Sequence, residues 1–272
     1  DVMNSQREVI YKKRRHALLG ERIGVDIANN MYDVCEALVE EHKEANDLEG
    51  FRMDVLKYLA VDFDIKEEDT SKAINALRLL NVKGFNITMP GKTAALSCCD
   101  ELSKAAQLIG AVNTVVNENG KLIGHNTDGL GWVRNCREHG FEIRGKKMTI
   151  AGSGGAATAI EITSALEGMS EISIFARKDT FFANAEATVE KIRRHVSGCR
   201  VNLYDLEDRD LFYHEREDSH IFTNATRVGM KPMDQESLIE NPEVFRSDLT
   251  VSDVVYNPRK TRLLSDAAAA GC

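Results

Sequence analysis

The chain has 272 residues, which is enough for one large domain or two modest ones. Hydrophobic residues make up 43% and charged residues 29%, a composition that allows a substantial core. The formal net charge of −8 argues against nucleic acid as a main partner, because an acidic surface repels phosphate backbones. The basic run at residues 12–15 is short and isolated, and we interpret it as a solvated helix face.

The sequence also argues against a membrane or secreted protein. No stretch approaches the roughly 18 apolar residues that a membrane-spanning helix needs, and no secretory hydrophobic region opens the chain. The six cysteines show no CxxC spacing, and adjacent Cys98 and Cys99 make a poor disulfide framework. We therefore predict a cytoplasmic protein with reduced thiols.

The N-terminal part of the chain is predicted to be mainly helical. Residues 29–49 carry apolar side chains at helical spacing, and residues 58–63 alternate like a strand. Residues 71–80 predict a helix with Ser71 as its N-cap. Residues 84–90 then indicate a strand that ends in a turn.

From about Leu122 onward, short apolar strands alternate with helices. The predicted strands are residues 147–151, 171–176, 220–224 and 249–255, and the predicted helices start near Ala157 and cover residues 183–195. This alternation is typical of βαβ units and a parallel sheet. The predicted fold class is α/β, with an N-terminal α/β domain at residues 1–120 and a Rossmann-like, doubly wound domain at residues 121–272.

A glycine-rich loop follows the first of these strands. The segment Gly152-Ser153-Gly154-Gly155-Ala156-Ala157 fits the pattern G-x-G-x-x-A between a strand and a helix. Gly152 would allow the tight turn, Gly154 would let the backbone approach a pyrophosphate, and Ala157 would allow close helix–strand packing. The helix N-terminus supplies free N–H groups and partial positive charge for phosphates. The pattern predicts a dinucleotide site, and a glycine turn without a ligand is the alternative.

The next strand ends in charged residues that bear on the choice of cofactor. An acidic side chain such as Asp179 can accept both ribose hydroxyl hydrogens, which favours NAD. Arg177 and Lys178 can instead meet a 2′-phosphate, which favours NADP. Asp179 tilts the prediction toward NAD, with NADP also possible. An exposed charged turn is the alternative for each of these residues.

Six motifs follow one another from residue 84 to about residue 258: NITMPGK, IGAVNT, GHNTDGLG, AGSGGAATA, NATRVGM and VVYNP. In this order they resemble the shikimate/quinate dehydrogenase family. The segments FARKDTFF and VGMKP look most like the branch that uses quinate as well as shikimate.

The resemblance implies that the first domain binds substrate, the second binds NAD(P), and the active site lies in the cleft. It implies hydride transfer between NAD(P) and a secondary alcohol of a cyclic polyol acid, which would be shikimate or quinate. Lys92 and Asp128 would be the catalytic pair. The residues that would contact substrate are Asn86, Thr88, Asn113 and Tyr256. The residues that would line the cofactor are Gly152, Ser153, Gly154, Gly155, Ala156, Ala157, Arg177, Asp179, Asn224, Thr226, Arg227, Met230, Val254 and Asn257.

The catalytic pair suits this chemistry. Oxidation of an alcohol moves a hydride to nicotinamide and a proton to the protein. Lys92 can stabilise the developing alkoxide and exchange that proton, and Asp128 can hold both Lys92 and the hydroxyl in position. Two unrelated surface residues are the alternative.

The sequence departs from the family in three places. Where the family carries two serines for the substrate carboxylate, residues 26–29 read Asp-Ile-Ala-Asn. Asp26 would repel a carboxylate by about 1 kcal/mol, so a substrate without one, or with a cation, is an alternative. Residues 41–57 look longer and more charged than their family equivalent. At the position after Cys272 the family continues with a helix whose glutamine reaches the substrate, and we expect impaired activity where that helix is missing. At the other end, the start at Asp1 without a methionine indicates trimming.

Two other classes of function compete with the dehydrogenase. One is a nucleotide-binding family member with altered or lost substrate chemistry. The other is an acyl or phosphoryl transferase, which ranks last because the glycine loop lacks the Lys-Ser/Thr of a P-loop. His125 has no second ligand at metal spacing, so no metal site is predicted, and Trp132 is expected to pack in the core. The predicted partner is a small-molecule substrate, with no nucleic acid and no membrane, and the predicted state is a monomer or homodimer.

Overall fold

The computed structural model describes residues 32–34, 36–41 and 65–272. The chain divides into two compact units, Asp1–Asp64 and Ile65–Cys272. In the first unit, residues 32–34 and 36–41 are helical, in agreement with the helix predicted over residues 29–49. The strand predicted at residues 58–63, the basic run and residues 26–29 lie outside the described residues.

The second unit begins with a mixed four-stranded sheet. Its elements are α1 (Thr70–Leu79), β1 (Gly84–Asn86), a 3-10 turn (Ala94–Cys98), β2 (Glu101–Leu102), α2 (Lys104–Ile109), β3 (Thr114–Glu118) and β4 (Lys121–His125). The strand order is β1-β3-β4-β2, with β1–β3 and β3–β4 antiparallel and β2–β4 parallel. The prediction that Ser71 caps α1 is wrong, because Asp69 holds the N-cap position and Ser71 lies in the first turn.

A five-stranded parallel sheet follows. Its strands are β5 (Lys147–Ala151), β6 (Glu171–Ala176), β7 (Arg200–Asp205), β8 (Ile221–Asn224) and β9 (Thr250–Asp253), in the order β7-β6-β5-β8-β9. The helices are α3 (Asp128–Glu138), α4 (Gly155–Leu166), α5 (Phe182–His195), α6 (Arg209–Glu217) and α7 (Arg262–Ala269). The order reverses between β5 and β8, and ligands of such sheets bind outside the carboxyl ends of the strands at that point.

Helices cover both faces of this parallel sheet, because its strands are apolar on both sides. On one face, Ile150 and Ile174 pack with α3, α4 and α5, and on the other face Phe175 and Phe222 pack with α6 and α7. Phe212 lies edge-on to Phe175 and Phe222, with ring centroids 5.1 and 5.6 Å apart. The α/β fold class with a Rossmann-like sheet is confirmed.

The domain boundary between residues 120 and 121 stays a prediction. The β3–β4 hairpin spans it, and all of β4 pairs within the four-stranded sheet. Among the described residues, no helix is both long enough and apolar enough to cross a membrane.

A buried carboxyl group interrupts the apolar surroundings of α4. Glu161 is fully buried, and neither of its carboxyl oxygens has a hydrogen-bond partner within the described part of the chain. Burial alone raises its pKa from 4.5 to about 8, since an apolar environment disfavours the charged form.

We predict that Glu161 makes stability depend on pH. Its folded-state pKa is raised, so its contribution is fully present below the unfolded value of 4.5 and is lost as pH rises through about 8. Glu161→Gln removes the titration but keeps the size. The difference in unfolding free energy between the variant and the wild type should therefore increase, in favour of the variant, by on the order of 4 kcal/mol from pH 5 to pH 9. Urea unfolding at the two pH values measures this difference, and a constant difference would contradict it.

Candidate active site

An ion pair joins the two side chains predicted to be catalytic. The Lys92 Nζ donates to Asp128 Oδ2 at 2.7 Å. Lys92 lies in the turns after β1, and Asp128 is the first residue of α3, 36 residues further along the chain. The Lys92 and Asp128 side chains stay 27% and 40% exposed, so a substrate can still reach both.

Asn113 holds the other oxygen of the same carboxylate. Its Nδ2 donates to Asp128 Oδ1 at 2.7 Å, and its Oδ1 accepts from the Thr127 backbone N–H at 2.9 Å. These two bonds set the orientation of the amide, because its nitrogen and oxygen each have a matching partner. Asn113 is nearly buried, and its backbone bonds to Ile87 and His125 on either side. Its contact with substrate stays a prediction. Its hydrogen bond to Asp128 was not predicted from the sequence.

The local backbone fixes the place of Asp128 at the start of α3. Asp128 begins α3, where the unpaired N–H groups carry partial positive charge that stabilises a carboxylate. The Asp128 backbone N–H donates to Asn126 Oδ1 at 3.1 Å, and Asn126 Nδ2 is tied to the Ala111 carbonyl at 3.2 Å. The GHNTDG motif therefore forms a loop that places its aspartate at the first position of α3.

Asn86 and Thr88 lie close to this group. Both are exposed and alternate with partly buried Phe85 and Ile87, the period expected at the end of a strand. The Ile87 N–H donates to the Asn113 carbonyl at 2.8 Å, which places this segment beside the Asn113–Asp128 contact. Their role in substrate binding stays a prediction.

The glycine loop leaves the N-terminus of α4 open. The helix begins at Gly155, two residues before the predicted start, and Gly154 occupies the N-cap position without a side-chain cap. The first N–H groups are therefore available to an anion. Gly152 has φ +135°, and a Cβ there would lie 2.6 Å from the Ala225 carbonyl, so only glycine fits. Ala157 is fully buried, as predicted for close packing.

The loop after β6 carries the charges that bear on the adenosine ribose. Arg177, Lys178 and Asp179 are all exposed. Asp179 Oδ1 accepts from the Phe181 N–H at 2.8 Å, and Lys178 pairs with Asp205 at the end of β7 at 3.4 Å. Arg177 lines a depression of about 320 Å³ at the carboxyl ends of β6 and β7. Contact of Arg177 and Asp179 with a cofactor stays a prediction.

Asn224 shapes the loop after β8. Its Oδ1 accepts from the Thr226 N–H at 3.0 Å and the Thr226 hydroxyl at 2.7 Å, and its Nδ2 donates to the Val228 carbonyl at 2.9 Å. Asn224 is itself buried. Its predicted contact with the cofactor stays a prediction, while Arg227 and Met230 of the same loop are exposed.

Asp253 joins the loops after β8 and β9, and sequence reasoning missed it. Its Oδ1 accepts from Asn224 Nδ2 and from the Val255 N–H, both at 3.0 Å, and its Oδ2 accepts from the Thr261 hydroxyl at 2.7 Å. Burial raises the pKa of this carboxyl against the pull of the three hydrogen bonds. The available signal was an acidic residue at the carboxyl end of an apolar strand.

Three predicted site residues follow β9. Val254 is partly buried, and Tyr256 and Asn257 are exposed.

No group of three or more His, Cys, Asp or Glu side chains within residues 32–34, 36–41 and 65–272 is arranged to hold a metal ion. Trp132 is 9% exposed and packs in the core as predicted. His125 lies at the end of β4, half-buried.

We predict that Asp253→Asn weakens dinucleotide binding by about 10-fold, because an amide cannot accept all three hydrogen bonds and the two loops lose their common anchor. Titration of the protein with NAD and NADP measures the dissociation constants. The control is Asp248→Asn, whose carboxylate is 77% exposed five residues earlier. Equal affinities of the two variants would refute the role of Asp253.

Comparison with known proteins gives consistent matches. The family model described as the shikimate dehydrogenase substrate binding domain matches residues 34–115. Shikimate dehydrogenase (NADP(+)) of Listeria innocua is 50% identical over 224 residues, which cover 82% of this chain and 77% of that protein.

Two solved structures extend the likeness to three dimensions. Shikimate 5-dehydrogenase from Listeria monocytogenes in complex with shikimate and NAD is 49% identical, with a TM-score of 0.76 over 81% of this chain and 78% of that chain. Quinate dehydrogenase from Corynebacterium glutamicum in complex with NAD is 29% identical, with a TM-score of 0.65 over 78% of this chain and 71% of that chain.

Proposed function

The chain belongs to the shikimate dehydrogenase family, and from this premise we propose that it is an NAD(P)-dependent oxidoreductase that interconverts shikimate and 3-dehydroshikimate. One observation supports this more than any other, the exposed Lys92–Asp128 pair at 2.7 Å. Gly129, next to Asp128, touches Ala159 in the second turn of α4. The pair therefore lies within reach of the helix that begins at the glycine loop.

The cofactor fits residues of this chain. The uncapped N-terminus of α4 suits the pyrophosphate, and the space at Gly152 that a Cβ would fill allows close approach of the backbone. Gly152 to Ala157 would hold the phosphates. Other residues that would line the cofactor are Asn224, Thr226, Arg227, Met230, Val254 and Asn257. When bound, nicotinamide supplies the hydride acceptor.

Lys92 and Asp128 would accept the proton that the substrate hydroxyl group loses. In the oxidation, the carbon–hydrogen bond breaks with its electron pair leaving as hydride, and the hydroxyl proton passes to the Lys92–Asp128 pair and then to water. The Lys92 ammonium stabilises the negative charge that develops on the substrate oxygen. Asn113 holds Asp128 in place, and Asn86, Thr88 and Tyr256 would orient the other hydroxyl groups of the ring.

We further propose that the protein works in the cytoplasm as a monomer or homodimer on a small-molecule substrate. The described cysteines, Cys98, Cys99, Cys136, Cys199 and Cys272, are all free thiols, which supports a reducing compartment. Quinate is a second candidate substrate, because the FARKDTFF and VGMKP segments resemble the branch that uses it. Shikimate, quinate and related polyols that lack a carboxylate should be assayed side by side, since the sequence carries Asp26 where the family has a serine for the carboxylate.

We predict that Lys92→Ala lowers kcat with shikimate by roughly 100-fold or more, because the developing alkoxide loses its cation and proton partner. NAD(P) affinity should stay nearly unchanged, since Lys92 lies outside the glycine loop. The absorbance of reduced nicotinamide follows turnover. Lys121→Ala is the control, because Lys121 forms a similar ion pair with Glu101 at 2.6 Å on the exposed edge of the same sheet.

Two outcomes would contradict the proposal. Unchanged turnover in Lys92→Ala would remove Lys92 from the chemistry. Saturable NAD(P) binding without hydride transfer from any assayed polyol would instead favour a nucleotide-binding protein that has lost substrate chemistry.

For the cofactor we propose NAD, with NADP also used. Asp179 lies in the loop after β6, where a group that binds the ribose hydroxyls is expected, while Lys178 is paired with Asp205. We predict that Asp179→Asn lowers the NAD/NADP ratio of kcat/KM by about 10-fold, and that Arg177→Gln raises it by a similar factor. Steady-state kinetics with both cofactors measures the ratio. Shifts in the same direction for both variants would refute the assignment.

A further inference from the structure

Helix α3 packs directly against α4. The contact is at Gly129, the residue after the proposed catalytic aspartate Asp128. A Cβ at Gly129 would lie 2.3 Å from the Ala159 carbonyl and 2.2 Å from Thr163 Oγ1, closer than atoms can approach. Glycine therefore lets the backbone of α3 touch α4. This contact places the start of α3 against the helix that follows the glycine loop.

A second contact lies one turn further along α3. The indole N–H of Trp132 donates to Ser252 Oγ at 2.9 Å, across 120 residues of sequence. Trp132 is 9% exposed and Ser252 is half-buried, so this hydrogen bond is partly shielded from water. Ser252 is in β9, and the next residue, Asp253, is the anchor of the loops after β8 and β9. Successive side chains of a strand point to opposite faces, so the end of β9 is bonded to α3 on one face and to the cofactor loops on the other.

Asp128 is held from its other side by two residues in loops next to the four-stranded sheet. Lys92 and Asn113 each bond one carboxylate oxygen at 2.7 Å. The carboxylate therefore sits where two sets of contacts meet, and its position relative to the cofactor depends on how α3 is seated. A misplacement of about 1 Å between reacting groups can cost roughly 100-fold in rate.

We infer that the Trp132–Ser252 hydrogen bond sets the position of Asp128 relative to the cofactor, which makes Trp132 and Ser252 positioning residues for hydride transfer. The inference rests on the proposed function of the same site. Among the residues that the structure describes, neither Trp132 nor Ser252 forms a hydrogen bond with Lys92 or Asp128, and both act through the position of α3. Loss of either end should slow the chemical step and leave ground-state binding unchanged.

Ser252→Ala is the main variant, because it removes the acceptor with little change in volume, and Trp132→Phe removes the donor. Each should lower kcat by about 10-fold while KM for shikimate and NAD(P) stays within about twofold. The double variant should be no slower than either single variant, because one hydrogen bond is lost in all three. Ser252→Thr keeps the hydroxyl and should restore kcat. The primary deuterium isotope effect on kcat should rise in the slow variants, which a general loss of stability would not produce.

Arg134→Gln is the matched control, since Arg134 pairs with Glu138 on the exposed face of the same helix and should leave kcat unchanged. A Ser252→Ala kcat within about twofold of the wild type would overturn the inference, as would losses that multiply in the double variant. A wild type without turnover would contradict the proposed function instead. Crystal structures of the wild type and of Ser252→Ala would then decide the positioning role: an Asp128 unmoved relative to the N-terminus of α4 overturns it, and a displaced Asp128 supports it.

Discussion

The carboxylate of Asp128 accepts one hydrogen bond on each oxygen, from Lys92 Nζ and from Asn113 Nδ2, both at 2.7 Å. The two donors come from loops of the four-stranded sheet, whereas Asp128 begins a helix that packs on the glycine-loop helix. A paired and hydrogen-bonded carboxylate can stay charged while partly shielded from water. The arrangement joins this ion pair to the helix that follows the glycine loop, as the proposed proton transfer requires.

Polar groups are arranged differently at the two ends of the parallel strands, here called the amino edge and the carboxyl edge of the sheet. At the amino edge, polar groups satisfy one another: Lys147, the first residue of β5, pairs with Glu215 at 2.9 Å and also with Asp218. At the carboxyl edge, α4 starts without a side-chain cap. Unsatisfied N–H groups at a helix start attract anions. Ligand binding is therefore expected at the carboxyl edge, where Asp253 and Asn224 order the neighbouring loops.

The sequence was sufficient for the fold class, because strand–helix alternation and the glycine loop depend on local patterns. The family followed from six motifs in order, and the Lys92–Asp128 contact was expected only through that resemblance, since 36 residues separate the pair. Local patterns did not predict Asp253 or the Trp132–Ser252 bond, because both depend on strands and helices that meet only in the folded chain. Glu161 was missed because a charged residue is expected at the surface, yet α4 is buried on nearly every side. The Ser71 cap failed for a smaller reason, as helix ends vary by one or two residues.

The most direct test of the catalytic assignment is a crystal structure of the protein with NAD and shikimate bound together. We expect the reacting hydroxyl oxygen within hydrogen-bond distance of Lys92 Nζ and Asp128, the pyrophosphate at the N-terminus of α4, and the nicotinamide carbon facing the carbon that bears that hydroxyl. A substrate bound away from Lys92 and Asp128, or a pyrophosphate bound away from Gly152 to Ala157, would contradict the assignment.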